Sequence, residues 1–271
     1  MTRIDRIFND LRAAGGKALM PYLTAGDPDM AATGRLLPAL EQAGASICEI
    51  GVPFSDPVAD GPVIQASMTH ALDHGATPGG VLDIVKARRD ELNIGLVAMM
   101  SFSIMHRMGV DTFIQRAKAA GLDGFIIPDL PVEEAGDINA RVLDAGLICS
   151  FLIAPTSPAS RVERLAKASS GFVYLLARAG ITGERNALPA DLPENVQRIR
   201  NVTDLPVAVG FGVSDAEQVR DVVAVADAAI VGSAIMRRVA DHRDAGTDRV
   251  VEEVSAFVRE LVGGLPAPAG A

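Results

Sequence analysis

Residues 47–65 read I-C-E-I-G-V-P-F-S-D-P-V-A-D-G-P-V-I-Q, a short apolar strand that runs into a long connection before the next helix. Apart from one position the strand is apolar on both sides, which marks it as covered on both faces instead of half exposed. The exception is Glu49, because a strand interior does not hold a bare carboxylate unless something pairs with it or uses it. In the connection, Pro53, Pro57 and Pro62 restrict the backbone while Gly51 and Gly61 let it turn sharply. Asp56 and Asp60 are thereby presented at a strand mouth in few conformations. A capped turn whose aspartates bond their own backbone accounts for Asp56 but leaves Glu49 unexplained. Glu49 and Asp60 are the candidate chemical groups.

Working outward, apolar runs of the same kind recur at 18–23, 94–100, 123–128, 147–153, 171–176, 206–210 and 228–231, with helical patterns between them. Eight such runs, each followed by a helix, imply parallel strands covered on the outside. An open doubly wound sheet would leave edge strands that carry charges or shortened runs, and these runs carry neither. The expected fold is α/β, a closed (β/α)8 TIM barrel, and 271 residues suit it. Ile4, Ile7, Phe8 and Leu11 add an amphipathic N-terminal helix over residues 2–13, a lid for the bottom of the barrel. A last amphipathic helix covers 248–262. Residues 1–262 are expected to form a single barrel domain, and G-G-L-P-A-P-A-G-A, 263–271, a flexible tail. Barrels carry their chemistry at the carboxyl ends of the strands, where Glu49 and Asp60 fall. The sixth connection, 177–190, is also long and is expected to be a mobile lid hinged at Gly180 and Gly183.

Hydrophobic residues make up 49% of the chain, ample for a buried core, and no apolar run approaches the roughly 20 residues a membrane span needs. The opening M-T-R-I-D-R-I-F-N-D alternates charge with apolar residues instead of building a signal core, so the expected location is cytoplasmic. A net charge of −9 argues against a nucleic-acid partner. Cys48 and Cys149 each lie inside an apolar run and read as buried thiols. His70 and His74 form an i, i+4 pair, but no third ligand stands at metal-like spacing, and no metal site is expected.

Two stretches suit an anion. V-A-V-G-F-G-V-S, 207–214, bares the backbone at Gly210 and Gly212 ahead of a helix with Ser214 as the expected N-cap. A-I-V-G-S-A-I, 229–235, places Gly232 and Ser233 before another helix start. Strands seven and eight are where barrels commonly hold phosphate. Thr182 and Gly183, on the sixth connection, could close over the same group. A phosphate-bearing substrate could be cleaved through a lysine imine, a metal or plain acid–base catalysis. Lysines occur only at 17, 86, 118 and 167, before the first strand or in helical stretches, so none is expected at the mouth. Proton transfer by carboxylates is the remaining chemistry. Desolvation should favour the acid form of Glu49, while Asp60, on a loop, is expected to be solvated and ionised.

These residues resemble the tryptophan synthase alpha subunit family over nearly the whole chain. The likeness rests on P-Y-L-T-A-G-D-P at 21–28, the 49–65 stretch, P-D-L-P-V-E-E at 128–134, A-G-I-T-G at 179–183, G-F-G-V-S at 210–214 and G-S-A-I at 232–235. The resemblance implies retro-aldol cleavage of indole-3-glycerol phosphate to indole and glyceraldehyde 3-phosphate, a carbon–carbon lyase step in tryptophan biosynthesis. By position, Glu49 would protonate the indole C3 and handle the glycerol hydroxyl proton, and Asp60 would accept the indole N–H. Tyr22, Ile153 and Tyr174 would line the pocket. Thr182, Gly183, Gly210, Phe211, Gly212, Gly232 and Ser233 would surround the phosphate end. The resemblance also implies a beta subunit partner in an alpha2-beta2 heterotetramer, with pyridoxal phosphate in the partner and no cofactor in this chain. Alternatives are a stand-alone lyase that releases free indole, a non-catalytic regulator of a beta subunit, and another phosphate-binding barrel such as a sugar-phosphate isomerase. One departure stands out: after strand three the family usually has an aromatic residue followed by Asn-Pro, and here M-M-S-F-S-I-M occupies 99–105, with Ser101, Ser103 and Ile104 at or near those positions.

Overall fold

The computed structural model describes residues 1–57, 60–177, 189–210 and 212–267. Its strands are β1 (Ala18–Thr24), β2 (Ile47–Gly51), β3 (Gly95–Met99), β4 (Gly124–Ile126), β5 (Ile148–Ser150), β6 (Leu152–Ile153), β7 (Val173–Leu176), β8 (Val207–Gly210) and β9 (Ala228–Val231). All pair in parallel, in the order β5-β4-β3-β2-β1-β9-β8-β7-β6. The two ends of that order, β5 and β6, are one continuous run of chain, so the sheet curls into the expected barrel.

The fifth apolar run is thus two strands where one was expected. Ile148–Ser150 pairs with β4, and Leu152–Ile153 pairs with β7, on either side of Phe151. Serines close this seam. Ser170 exchanges bonds with Cys149, its amide reaching the Cys149 carbonyl at 2.9 Å and its Oγ accepting the Cys149 amide at 2.8 Å. Ser169 Oγ accepts the Phe151 amide at 3.1 Å, and Ser150 Oγ donates to the Phe172 carbonyl at 2.8 Å. Gly171, at φ +74°, turns the chain here, which is why β7 starts at 173 and not at 171.

The helices are α1 (Arg3–Ala13), α2 (Met30–Gln42), α3 (Pro62–Asp73), α4 (Pro78–Arg88), α5 (Phe102–Met108), α6 (Val110–Ala120), α7 (Gly136–Asp144), α8 (Ala159–Ala168), α9 (Leu192–Arg200), α10 (Ala216–Val225), α11 (Ser233–His242) and α12 (Thr247–Val262). Thr2 and Asp5 form a capping box on α1, and its apolar face, Ile4 and Phe8, is buried beneath the amino end of the barrel. Arg3 adds an ion pair to Asp123 at 3.2 Å, so the sequence pattern that suggested a lid has both an apolar and a charged anchor. Beyond α12, Leu265 packs against the core. Among the described residues no helix is long and apolar enough to cross a membrane.

Candidate active site

Register places the first site residues. Tyr22 on β1 is the Cα partner of Glu49 on β2, so both side chains leave the sheet on the same face. Glu49 is fully buried, and neither carboxylate oxygen has a hydrogen-bond partner among the described residues. Burial alone raises its pKa well above the ordinary glutamate range, which favours the acid form. The same carboxyl, with Asp60, adds to the burial that raises the phenols of Tyr22 and Tyr174. Two acids and two phenols therefore share one electrostatic environment at the carboxyl end of the barrel.

Glycine makes room for the phenols. A Cβ on Gly51 would land on the Tyr22 phenol, and a Cβ on Gly210 would land on that of Tyr174. Gly210 is thus placed as expected at the end of β8, with a packing reason of its own. Ile153 is buried on β6 beside the β7 residue Leu175, next in sequence to Tyr174.

Asp60 differs from its sequence expectation. It is half-buried instead of solvated, and burial pushes its pKa up to about 6. Its backbone is held locally: its amide donates to the Pro57 carbonyl at 3.0 Å, and Gln65 Nε2 donates to its carbonyl at 2.7 Å. Asp60 lines a cavity of about 190 Å³ whose apolar wall includes Val52, Phe54, Met68, Met99 and Met100. The 99–105 departure therefore forms part of this wall. Ser101 caps α5 and donates to Asp129 Oδ2 at 2.6 Å, while Asp129 Oδ1 accepts the Phe102 amide at 2.8 Å. Met68, Gln65 and Asp129 are contributions that sequence reasoning missed. Asp129 could have been found, since it follows the fourth strand at the carboxyl end of the barrel.

At the anion end, Gly232 has no side chain to cap α11, so the first amides of that helix are left for a ligand. Tyr22 flanks Gly232: a Cβ there would meet the Tyr22 Cβ at 3.5 Å. Ser233 is the first residue of α11. Gly212 takes φ +103°, a conformation that side chains rarely adopt. The helix after it is capped by Asp215 and not by Ser214. The Asp215 carboxylate accepts the Gln218 amide at 2.8 Å, and Gln218 Oε1 accepts the Ser214 amide at 2.8 Å. These two bonds give this helix start a side-chain cap, whereas that of α11 has none. Thr182, Gly183 and the hinge candidate Gly180 lie outside the described residues, as does Phe211.

The lysines stand away from the mouth. Lys17 pairs with Asp227 at 3.2 Å, and Lys86, Lys118 and Lys167 lie on α4, α6 and α8. His70 of α3 and His74, which caps its carboxyl end, stack with ring centroids 4.0 Å apart, and among the described residues no group of three or more His, Cys, Asp or Glu side chains could hold a metal ion. The arrangement offers a buried carboxyl whose acid form burial favours, a second carboxyl raised to about 6, an apolar cavity and an uncapped helix start.

A barrel with these groups is matched over residues 8–264 by the family model of the tryptophan synthase alpha chain. The tryptophan synthase alpha chain of Microcystis aeruginosa is 40% identical over 263 residues, 97% of this chain and the whole of that one. That of Rhodopirellula baltica is 43% identical, covering 96% of this chain and 98% of its own. Among solved structures, tryptophan synthase of Mycobacterium tuberculosis superposes with a TM-score of 0.88 at 36% identity, over 97% of this chain and 98% of that one. The alpha subunit of Legionella pneumophila tryptophan synthase gives 0.88 at 33% identity, with the same coverage. Sequence and fold agree over nearly the full length, and the chain belongs to the tryptophan synthase alpha chain family.

Proposed function

We propose that this chain cleaves indole-3-glycerol phosphate to indole and glyceraldehyde 3-phosphate, with Glu49 and Asp60 as its catalytic carboxyls. The observation that carries the proposal is Glu49: fully buried, with no hydrogen-bond partner among the described residues, and with its acid form favoured by burial. As an acid it delivers its proton to C3 of the indole ring, which becomes cationic. As the resulting carboxylate it takes the proton of the hydroxyl on the adjacent glycerol carbon. The C–C bond then breaks, its electron pair returns to the ring to give indole, the glycerol carbon becomes the aldehyde, and Glu49 is again an acid. Asp60, ionised at neutral pH, accepts the indole N–H and stabilises the cationic ring, a charge that exists only along the reaction path.

Tyr22, Ile153 and Tyr174 shape the ring pocket. The amides at Gly232 and Ser233 take the phosphate, with Gly210, Gly212, Phe211, Thr182 and Gly183 about it. Residues 1–262 act as one domain, in the cytoplasm, with a beta subunit as partner in an alpha2-beta2 assembly; pyridoxal phosphate belongs to that partner and none is needed here. Retention of both carboxyls in one electrostatic environment favours catalysis over a purely regulatory role.

Turnover of indole-3-glycerol phosphate by the purified chain, alone and with a beta subunit from the same source, tests this. Slow cleavage that rises sharply with the partner is the expected outcome. Fast cleavage alone would instead identify an indole-releasing lyase, and no product under either condition would sink the proposal.

A further inference from the structure

Asp27 is the one carboxylate of the described structure besides Glu49 with a fully buried side chain and a place near the mouth, and the reaction above makes no use of it. It sits in the turn after β1, where Gly26 at φ +89° donates its amide to Thr33 Oγ1 at 2.8 Å and so fixes the turn to α2. From there Asp27 reaches two other elements. Ser67 Oγ, on α3, donates to its Oδ2 at 2.6 Å, and His70 Nδ1, one turn further along α3, stands 3.3 Å from Oδ1. Arg243, in the short turn that follows α11, donates to Oδ2 at 3.2 Å. A single buried carboxylate therefore ties the middle of α3 to the far end of the helix whose start carries Gly232 and Ser233.

The α3 helix begins two residues after Asp60. Its first turn supplies Gln65, whose side chain holds the Asp60 carbonyl at 2.7 Å and also reaches the Pro57 carbonyl at 3.3 Å. Its next turn supplies Met68, which lines the same cavity as Asp60. A helix transmits position as a rigid rod over two turns, so the place of Asp60 is set by where α3 is clamped.

We propose that Asp27 is a positioning residue for Asp60, acting through Ser67 and Gln65 of α3, and that it holds the catalytic loop and the α11 phosphate end in one frame. The proposal rests on the role given to Asp60 above. Asp27 itself touches no substrate; it fixes the geometry of a group that does.

The test compares Asp27→Asn, Gln65→Ala and the double variant. Gln65 is exposed, so its truncation leaves the fold intact. Each single variant should lower kcat about tenfold with KM within twofold, because the interaction lost is one that strengthens along the reaction path. Two links of one chain should not multiply, so the double variant should resemble either single one. Amide hydrogen exchange over residues 60–66 should quicken in both singles, a readout that needs no turnover. Unchanged exchange, quickened exchange with unchanged kcat, or single effects that multiply would each overturn the proposal. Absent turnover in the unmodified chain would remove the assigned reaction while leaving the exchange result interpretable on its own.

Discussion

Asp123 and Asp227, just before strands at the amino end of the barrel, and Glu49, inside β2 and facing its mouth, are all acids placed by strands, and their surroundings could hardly differ more. Asp123, just before β4, accepts the Leu96 amide of β3 at 2.8 Å and faces Arg3 at 3.2 Å and Arg89 at 3.4 Å. Asp227, just before β9, accepts the Val207 amide of β8 at 3.0 Å and faces Lys17 at 3.2 Å and Arg200 at 3.3 Å. Burial pushes both carboxyls up; the Val207 amide and Lys17 reverse it for Asp227, whose pKa ends below the ordinary value, while Asp123 remains raised. Glu49 has burial alone. The bottom of the barrel uses carboxylates to fasten neighbouring strands; the mouth keeps one without a hydrogen-bond partner among the described residues, which costs stability and leaves it available to a ligand.

Glu49→Gln should give the largest effect and separate the two ends most sharply. Loss of a positioned proton donor should lower kcat by about 10²–10⁴-fold. Stability should move the other way. The folded protein keeps the Glu49 proton above the ordinary value of 4.5, whereas the unfolded chain releases it there, so the folded state binds more protons and loses stability as pH rises through that window. Glutamine does not titrate. Thermal unfolding of the variant at pH 8 should therefore lie a few degrees above that of the parent, with the gap shrinking toward pH 4. A variant that melts lower at pH 8 would show that Glu49 has a partner and would erase the contrast.

Asp227→Ala should do the reverse. It strands the Val207 amide and two cations, both partly exposed, and should cost about 2 kcal/mol in urea unfolding at neutral pH. Because the folded pKa of Asp227 lies below its ordinary 3.8, that contribution is complete above pH 3.8 and fades as pH falls further. With the site at the opposite end of the barrel strands, kcat should stay within about twofold. A larger fall in kcat under conditions where the variant is fully folded would mean the two ends are coupled.

The barrel could be read from the chain because eight uniformly apolar runs have few other ways to be covered, and Glu49 because a lone acid in such a run is conspicuous. What escaped depended on contacts between distant residues. Phe151 interrupts the fifth run only because Ser169 Oγ takes its amide, and the run itself contains no breaker. Ser214 and Asp215 are both good caps, and Gln218 decides between them by reaching back to the Ser214 amide. Asp60 sits in a loop that reads as solvated, yet Met68 of α3 and Met99 and Met100 at the end of β3 share its cavity. Asp27 gave no such signal, because its partners lie 40 and 216 positions away.

Asp60 supplies the smallest effect and the finest test. Burial pushes its pKa from 3.8 up to about 6, so near pH 7 it is mostly ionised and able to accept the indole N–H. Below about pH 6 it gains a proton and loses that ability, and kcat/KM should fall roughly tenfold for each further unit of pH. In Asp60→Asn the absolute rate should be lower and this acid limb should vanish. The two ends of the barrel give the control. Asp227 moves the other way, below 3.8, so the ion pairs that fasten the bottom should persist well below pH 6. An acid limb in activity that precedes acid unfolding by a pH unit or more belongs to Asp60. A limb that coincides with unfolding, and persists in Asp60→Asn, would instead report loss of the fold and assign Asp60 no titration of its own.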